Sequence, residues 1–237
     1  MKVCIYTACA GDYEKMKPIL SQSIPCDWIA FTEDERGTED AGWTWTPLRY
    51  NGIKDASPRL RAKWYKVLPW MALPGYEYTI WIDSSVTVTS PTFAEDMLDY
   101  LGGFDLAAFR HPYRTGIYSE AMASVNMPKY QGQRLIEQVK HYSDQGYPAD
   151  GGLWCGTVIA RHEDPGDLFA AGILPRRDSA LLHEWMQRWW EEILEWSLQD
   201  QLSLPYVSWV LGVQPHVIPG NLYDGKWFTV QHQPEAL

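Results

Sequence analysis

Long apolar runs are missing from the sequence, because no stretch approaches the roughly 18 apolar residues of a membrane-spanning helix. Met1 leads into only a short apolar run without a cleavage pattern, so we expect no signal peptide. The cysteines Cys4, Cys9, Cys26 and Cys155 form neither a CxxC pair nor a Cys/His zinc spacing. Scattered thiols of this kind predict small core residues in a reducing compartment, and we expect the protein in the cytoplasm.

Basic residues are also few relative to acidic ones. Lys and Arg number 20 against 30 Asp and Glu, which gives a formal net charge of -10. A protein that binds nucleic acid or anionic membranes over a broad face needs a basic surface, so this balance disfavours both classes. It leaves room for a local basic pocket. The 237 residues, 46% of them hydrophobic and without internal repeats, predict one folded domain over residues 1–237.

Several catalytic signatures are absent as well. The sequence has no P-loop, no Gly-x-Gly-x-x-Gly turn after its first predicted strand, and no Gly-x-Ser-x-Gly or His-Glu-x-x-His motif. These absences weaken assignments as an NTPase, a Rossmann dehydrogenase, a serine hydrolase or a metalloprotease. Aromatic residues, in contrast, are abundant, with 13 Trp and 14 Tyr. Most are expected in the core, and their flat faces also suit sugars and bases.

Short apolar runs alternate with amphipathic stretches along the chain. Strands are predicted at 3–6, 28–32, 43–47, 78–82, 106–109, 155–160 and 227–230, and helices at 59–70 and 179–198. The second helix carries an apolar stripe at spacings of three and four, formed by Leu182, Trp185, Trp189, Ile193 and Trp196. Strands that alternate with helices predict an α/β fold with a mostly parallel central sheet flanked by helices. Such sheets bind ligands at the carboxyl ends of their strands.

One carboxylate comes directly after the strongest predicted strand. Asp83 ends that strand and is followed by Ser84 and Ser85. A carboxylate at a strand tip faces the ligand crevice and can bind a divalent cation, which in turn bridges a diphosphate. A turn or capping role for Asp83 is the alternative. Among the histidines near the C-terminus, His232 is the better candidate for a second metal ligand, because it follows a predicted strand.

Three cations share one face of the first predicted helix. Lys63 and Lys66 are three residues apart, and Arg59 lies one turn before Lys63. In an acidic protein, three cations on one face are suited to a phosphate group, for which arginine offers a planar fork. The competing interpretation is a solvated basic face.

Two further polar clusters are candidates for substrate contacts. Asp200 and Gln201 follow the tryptophan-rich helix, where a carboxylate beside a carboxamide can orient a polyhydroxyl ligand or form an inert helix end. His111 and Arg114 come after a predicted strand, with Glu120 close behind. Such a group is suited to binding a donor or an acceptor, or to proton transfer, although a single histidine there is as often structural.

The order of these motifs resembles a glycosyltransferase-like family, first catalogued as a domain of unknown function, that occurs in plant pectin and mucilage proteins and in bacterial polysaccharide clusters. The resemblance covers nearly the whole chain. Its matching pieces are Tyr6-Thr7-Ala8, Phe31-Thr32, Arg59 with Lys63 and Lys66, Ile80-Trp81-Ile82-Asp83, His111 with Arg114, Ile117-Tyr118-Ser119-Glu120-Ala121, Arg161, Trp189-Trp190, and Asp200-Gln201-Leu202-Ser203.

The resemblance implies a GT-A-like fold and transfer of a sugar from a nucleotide-sugar donor, with a UDP-sugar expected. In the wider GT-A group a strand-end Asp-x-Asp motif binds a manganese–diphosphate unit, so Mn²⁺ or Mg²⁺ is the implied cofactor. Here the sequence reads Asp83-Ser84-Ser85, without the second carboxylate. Two expectations follow from this departure. Either transfer does not depend on a metal, or Asp83 holds the metal together with His232.

The resemblance also assigns roles within the site. It implies that Tyr6, Thr7 and Ala8 hold the nucleoside, and that Arg59, Lys63, Lys66, Asp83, Ser84 and Ser85 hold the diphosphate. The implied catalytic residues are Asp200, Gln201 and Glu120, and the residues implied on the donor or acceptor side are His111, Arg114, Gly152 and Trp154. The segment around Gly152 and Trp154 is similar to the substrate-lining strand of retaining members, and Asp200-Gln201 to their Asp-Gln pair. Both likenesses imply retention.

Three alternatives stay open from the sequence. A glycoside hydrolase would need two carboxylates about 5 to 9 Å apart, one of them acting as an acid, and Asp83 and Asp200 are the candidates. A non-catalytic carbohydrate-binding protein would suit the many tryptophans. Within the transferase hypothesis, the acceptor hydroxyl belongs to a glycan, to a protein or to a modified base in DNA.

Overall fold

The computed structural model of the protein describes residues 1–11, 14–35, 37–49, 56–148 and 168–231, together with the backbone of two short strands at 153–154 and 157–158. In chain order the described strands are β1 (Val3–Cys9), β2 (Asp27–Thr32), β3 (Thr44–Pro47), β4 (Tyr78–Ile82), β5 (Val86–Val88), β6 (Ala107–Arg110), β7 (Leu153–Trp154), β8 (Thr157–Val158), β9 (Phe169–Ala170), β10 (Ile173–Arg177), β11 (His216–Ile218) and β12 (Phe228–Val230). The described α-helices are α1 (Pro58–Val67), α2 (Pro69–Ala72), α3 (Phe93–Leu101), α4 (Ile117–Ser124), α5 (Leu135–Asp144), α6 (Ala180–Glu195) and α7 (Asp200–Leu211).

A five-stranded sheet with the order β10-β4-β1-β2-β3 forms the centre of the fold. β1 pairs in parallel with both β2 and β4, β2 pairs in parallel with β3, and β10 runs antiparallel to β4 at one edge. Because neighbouring parallel strands end at the same edge of a sheet, the residues that follow β1 and β4 meet there. The predicted α/β architecture with a mostly parallel central sheet is therefore confirmed.

Helices cover both faces of this sheet. Successive residues of β1 point to opposite faces, so Cys4 and Tyr6 pack in a core that includes side chains of α1, α6 and α7. Val3 and Ile5 pack on the other face, in a core that includes side chains of α3. Every residue of β1 is buried, as expected for a strand that is covered on both sides.

α6 confirms the predicted amphipathic helix. Ser179 caps it, since the serine side chain accepts a hydrogen bond from the Leu182 amide at 3.0 Å. Trp185 and Trp189 of the predicted stripe are buried, and the helix ends at Glu195, three residues before its predicted end.

The first predicted helix ends earlier than expected. α1 stops at Val67, and Pro69 begins the separate short helix α2. Proline lacks the N–H that would continue α1, and its ring disfavours helical backbone at the preceding residue, Leu68. The three predicted cations all lie before this break, so their common face on α1 is kept.

The segment after α6 also differs from the prediction. Gln199 occupies the capping position of a new helix, α7, whose first residues are Asp200 and Gln201. The alternative of an inert, exposed helix end does not hold, since Asp200 is buried. The strand predicted at 155–160 lies outside the described residues, apart from the backbone of β8.

Smaller sheets extend the ligand-binding edge. β6 lies between β11, to which it is parallel, and β9, to which it is antiparallel, and β5 pairs with β12. None of the described helices has both the length and the apolar character needed to cross a bilayer.

Candidate functional site

A cavity of about 1280 Å³ opens at the carboxyl ends of β1, β4 and β6. This volume exceeds that of most small-molecule sites. Many of the predicted site residues lie in its described lining, namely Ala8, Arg59, Lys63, Lys66, Asp83, Ser84, Ser85, His111, Arg114, Glu120, Asp200 and Gln201. The fold thus brings into one cavity residues that are far apart in the sequence.

Two lysines of α1 and the first residue of α7 form a buried ion cluster. Lys63 Nζ lies 2.5 Å, and Lys66 Nζ 2.7 Å, from the same oxygen of Asp200, Oδ2. Lys66 Nζ also lies 3.4 Å from Asp83 Oδ1. The spacing of three residues turns both lysines to one side of α1. The Lys66 and Asp200 side chains are each only 5% exposed, so the cluster is shielded from bulk solvent.

Burial and pairing act in opposite directions on the protonation of this cluster. Burial alone would raise the pKa of Asp200, but the two ammoniums outweigh it and hold that pKa well below its ordinary value. Burial would lower the pKa of Lys66, yet Asp200 and Asp83 raise it. For Lys63 burial outweighs the attraction of Asp200, so its pKa falls to about 8. Lys63 is therefore the member of the pair that loses its proton just above neutral pH.

Asp83, at the end of β4, is held by several hydrogen bonds. Its Oδ1 accepts one from the Trp81 indole Nε1 at 2.7 Å and faces Lys66. Its backbone N–H donates to the Gly172 carbonyl at 2.8 Å. A Cβ atom at position 172 would come within 3.4 Å of Asp83 Oδ2, so the glycine leaves the space that the carboxylate uses.

The described residues do not fit a divalent cation. No three His, Cys, Asp or Glu side chains in the described ranges lie close enough together to hold one. Oxygen-binding cations take several such ligands, whereas Asp83 has the Lys66 ammonium beside it. Ser85, which follows in the same motif, is buried. The other predicted ligand, His232, lies outside the described residues.

Arg59 lies at the start of α1 on another part of the cavity wall. Ser57 caps this helix by accepting a hydrogen bond from the Leu60 amide at 3.2 Å. The Arg59 guanidinium donates to the Lys129 carbonyl and lies over the Tyr130 ring, 5.0 Å from its centroid. These contacts orient the guanidinium at the cavity, one helical turn before Lys63.

Glu120 is the centre of a buried hydrogen-bond network. Its Oε2 accepts a hydrogen bond from Arg114 Nε and lies 3.7 Å from His111 Nε2. Its Oε1 accepts hydrogen bonds from Gln199 Nε2 at 2.6 Å and from Ser124 Oγ at 3.1 Å. The side chain is 2% exposed. Its burial and its four neighbours favour a positioning role over the catalytic role that the family resemblance implied.

His111 shapes the loop after β6. Its Nδ1 accepts hydrogen bonds from the backbone amides of Tyr113 at 3.3 Å and Arg114 at 3.0 Å. Because Nδ1 is an acceptor, the proton of the neutral ring lies on Nε2, which faces Glu120. Burial lowers the pKa of His111, with Glu120 opposing the effect and Arg114 adding to it. A neutral His111 at pH 7 therefore stabilises the loop that presents Arg114.

The profile of the TOD1/MUCI70, glycosyltransferase-like domain matches residues 44–225, well over half of the chain. The chain belongs to the TOD1/MUCI70 glycosyltransferase-like family. The matched range includes Lys63, Lys66, Asp83 and Asp200, so the ion cluster lies within the family domain. A sequence search among curated proteins gave no match.

A solved glycosyltransferase structure shares the fold of this TOD1/MUCI70 domain. The apo form of mouse xyloside xylosyltransferase 1 superposes with a TM-score of 0.51 at 9% sequence identity, covering 92% of this chain and 85% of the mouse chain. The apo structure of the bifunctional glycosyltransferase WbbM gives a TM-score of 0.49 at 13% identity, covering 94% of this chain but 40% of WbbM. At such identity the mouse structure shows a common fold and transfers no residue roles. The predicted family and its glycosyltransferase-like fold are confirmed.

Two residues expected at the nucleoside lie away from the cavity. Tyr6 is buried in the core, where its hydroxyl accepts a hydrogen bond from Arg176 Nη1 at 2.9 Å. Thr7 is also buried, and neither residue is part of the described cavity lining. Tyr6 lies within the predicted strand and packs in the core, and Thr7 joins the sheet because β1 continues to Cys9, three residues beyond its predicted end. Of the predicted run, Ala8 reaches the cavity.

Other predicted residues are placed as follows. Gln201 lines the cavity, and its Nε2 donates to the Phe169 carbonyl at 3.2 Å. Gly152 and the side chain of Trp154 lie outside the described residues.

Two tyrosines of the cavity were not predicted from the sequence. Tyr130 donates a hydrogen bond to Gln199 Oε1 at 2.7 Å. Tyr223 stacks on Tyr113, with the ring centroids 5.9 Å apart. Tyr130 ends a short 3₁₀ helix (Pro128–Tyr130) and Tyr223 lies in a turn, and in neither segment does a motif or periodicity distinguish one tyrosine from another.

Proposed function

We propose that this protein transfers a sugar from a nucleotide-sugar donor, with UDP as the expected nucleotide, to an acceptor hydroxyl in the cavity. The observation that carries the proposal is the convergence of Arg59, Lys63 and Lys66 on one cavity of a glycosyltransferase-like domain. A diphosphate is the part of a nucleotide-sugar that such a group of cations would bind.

The cations would act on the leaving group. When the bond between the anomeric carbon and the diphosphate oxygen breaks, negative charge develops on that oxygen. Lys63 and Arg59 would stabilise this charge from fixed positions. A close charge pair is worth about 4 kcal/mol at roughly 4 Å and an effective dielectric near 20. Charges already held in place stabilise a transition state without reorganisation during the reaction.

Asp200 would act on the sugar as an ionised carboxylate. Its low pKa keeps it charged, so it is suited to stabilising the positive charge that develops at the anomeric centre. Two ammoniums share its Oδ2, which makes this oxygen a poor covalent nucleophile. We therefore propose retention by attack of the acceptor on the face from which the diphosphate leaves. The acceptor oxygen forms the new bond to the anomeric carbon, and its proton passes to the departing diphosphate oxygen.

The acceptor would lie toward the loop after β6. Tyr113 and Tyr223 line the cavity there with 58% and 49% of their surfaces exposed, and Arg114 is held by Glu120. Exposed aromatic faces suit the apolar side of a sugar ring, so we propose a glycan hydroxyl as the acceptor. The net charge of -10 makes a modified base in DNA the weaker alternative.

Hydrolysis of a glycoside is less well supported. A hydrolase needs one carboxyl that is protonated and acts as the acid. Asp200 is unsuited to that role because its pKa is held low, and the Lys66 ammonium stands between it and Asp83. A non-catalytic sugar-binding protein would have no use for a cluster of two lysines and two carboxylates in which Lys66 and Asp200 are buried.

Thermal unfolding with a panel of nucleoside diphosphates and nucleotide-sugars tests the proposal. A ligand at 100 times its Kd adds about 2.7 kcal/mol to the free energy of unfolding, which shifts the midpoint clearly. We expect a shift with UDP and its sugar conjugates, lost in Lys63→Ala and kept in Lys140→Ala, an exposed lysine on α5. Release of UDP on adding an oligosaccharide, with NMR of the product's anomeric proton, then tests transfer and retention. Absence of a shift with every nucleotide would overturn the proposal.

A further inference from the structure

We propose that the Lys66 ammonium is the resident cation of the donor site, so that this enzyme binds its nucleotide-sugar without a divalent metal. The inference rests on the proposed function, because it concerns how that donor is held. Of the two expectations that the Asp83-Ser84-Ser85 motif left open, the inference supports transfer that does not depend on a metal.

The geometry of Lys66 is that of a bridging cation. Its Nζ lies 2.7 Å from Asp200 Oδ2 and 3.4 Å from Asp83 Oδ1, so one positive charge joins a carboxylate at a strand end to a carboxylate at a helix start. Trp81 supports the arrangement, since its indole N–H donates to the same Asp83 oxygen at 2.7 Å. With 5% of its side chain exposed, Lys66 is enclosed by these contacts and not a mobile surface lysine.

The charge balance of the cluster matches that of a metal site. Two carboxylates and the divalent cation that they hold have a total charge of zero. Asp83 and Asp200 together with the ammoniums of Lys63 and Lys66 also have a total charge of zero. An ammonium has three N–H donors. Lys63 is ion-paired with Asp200, and Lys66 with both Asp200 and Asp83. Both lysines line the cavity, where N–H groups outside these ion pairs would meet phosphate oxygens.

A divalent cation would have to compete with Lys66 for Asp83. An ion bound to the Asp83 carboxylate would lie only a few ångströms from the Lys66 ammonium, and the two positive charges would repel each other. The described residues also supply no group of three metal-binding side chains to offset that repulsion. Removal of the Lys66 ammonium should allow a divalent cation to bind, because two carboxylates would then face the space that Lys66 had filled.

The experiment measures metal binding and nucleotide binding separately. Electron paramagnetic resonance of Mn²⁺ reports binding of the metal alone, and titration calorimetry reports binding of UDP in EDTA or in Mn²⁺. For the unaltered protein we expect no Mn²⁺ binding and the same UDP Kd in both buffers. For Lys66→Ala we expect Mn²⁺ binding, a UDP Kd weakened about tenfold or more in EDTA, and partial recovery in Mn²⁺. Lys140→Ala serves as the matched control and should behave like the unaltered protein.

Lys66→Met is the second variant, because its unbranched apolar side chain keeps the volume if the alanine variant fails to fold. Circular dichroism checks that both are folded. Mn²⁺ binding by the unaltered protein that disappears in Asp83→Asn, or UDP binding that EDTA abolishes, would overturn the inference while leaving the transferase proposal intact. Failure of every nucleotide to bind would instead overturn the proposed function. In that case the resonance measurement still decides whether Lys66 or a metal is the cation of the site.

Discussion

The Gln199 side chain donates a hydrogen bond to Glu120, with 2.6 Å between Nε2 and Oε1, across 79 positions of the sequence. The contact joins α4 to the residue that caps α7. Gln199 accepts a second hydrogen bond from Tyr130, whose ring lies under the Arg59 guanidinium. The walls proposed for the acceptor and the donor are therefore connected through one buried carboxylate.

Replacing that carboxylate should affect stability first. Glu120→Ala leaves Arg114 and Gln199 without their acceptor, and we expect a loss of about 3 kcal/mol in the free energy of unfolding. Glu120→Gln keeps an oxygen acceptor and should lose about 1–2 kcal/mol. Urea denaturation measures both. If Glu120 positions Arg114, Glu120→Gln should raise the acceptor KM and leave the UDP Kd unchanged. An unchanged acceptor KM with a large fall in kcat would point to direct catalysis by Glu120.

UDP binding should weaken above neutral pH. Lys63 has a pKa of about 8, so at pH 9 most of the protein has lost this ammonium, and we expect a Kd about tenfold weaker than at pH 7. Titration calorimetry at several pH values measures this. Lys63→Arg keeps its charge at pH 9 and should remove the dependence. An equal fall in both proteins would show that another group is responsible.

The lowered pKa of Lys63 affects the free energy of unfolding in the opposite direction from UDP binding. Between pH 8 and the ordinary lysine pKa, the unfolded chain keeps the proton that the folded chain has released. The contribution of Lys63 to the free energy of unfolding therefore rises with pH over this range. Binding and stability should thus respond to alkaline pH in opposite directions.

Asp200→Asn should destabilise the protein by about 3 kcal/mol, because it leaves the Lys63 and Lys66 ammoniums buried with less negative charge. The folded-state pKa of Asp200 is depressed, so its contribution is complete above the unfolded pKa near 4 and is lost as pH falls through the folded value. The difference between the two proteins should therefore shrink as pH falls below about 4. Asp144→Asn, on the exposed end of α5, is the matched control. A difference that grows on acidification would contradict the assigned direction.

Arg176 offers a stabilising substitution. It is fully buried, and its Nη1 donates to the Tyr6 hydroxyl, but its Nε and Nη2 have no hydrogen-bond partner in the described part of the chain. An apolar side chain of similar length removes a buried charge that is poorly compensated. We expect Arg176→Met to raise the free energy of unfolding by about 1–2 kcal/mol, measured by urea denaturation. A clear loss of stability would show that the guanidinium is needed where it is.

Local sequence patterns predicted the elements well and the contacts between them less well. The aromatic and β-branched run 78–82 coincides with β4 at both ends, and the tryptophan stripe forms the buried side of α6. The spacing of Lys63 and Lys66 correctly predicted a shared face, because helix periodicity fixes it. Their pairing with Asp200 depends on how α7 packs against α1, which no local pattern encodes.

Errors arose where a boundary shifted or a side chain was buried. β1 is three residues longer than its apolar run indicates, which moves Thr7 from the predicted site into the sheet, while Tyr6, already within the predicted strand, packs into the core. Glutamate is a common catalytic residue type, which made Glu120 a candidate. Its burial among four polar neighbours depends on the tertiary structure and is not visible in the sequence. Whether Asp83 meets a metal or an ammonium likewise depends on Lys66, which is distant in sequence.

The start of α7 at Asp200 has a consequence for how the protein is made. During synthesis the two lysines of α1 leave the ribosome long before the carboxylate that neutralises them. Until α7 docks, burial of both ammoniums is unfavourable, because their desolvation is not offset by the Asp200 carboxylate. We therefore expect α1 to remain only loosely associated with the sheet. A nascent chain that stops before residue 200 should accordingly stay sensitive to protease at α1. Completion of the fold and assembly of the ion cluster are then a single late event.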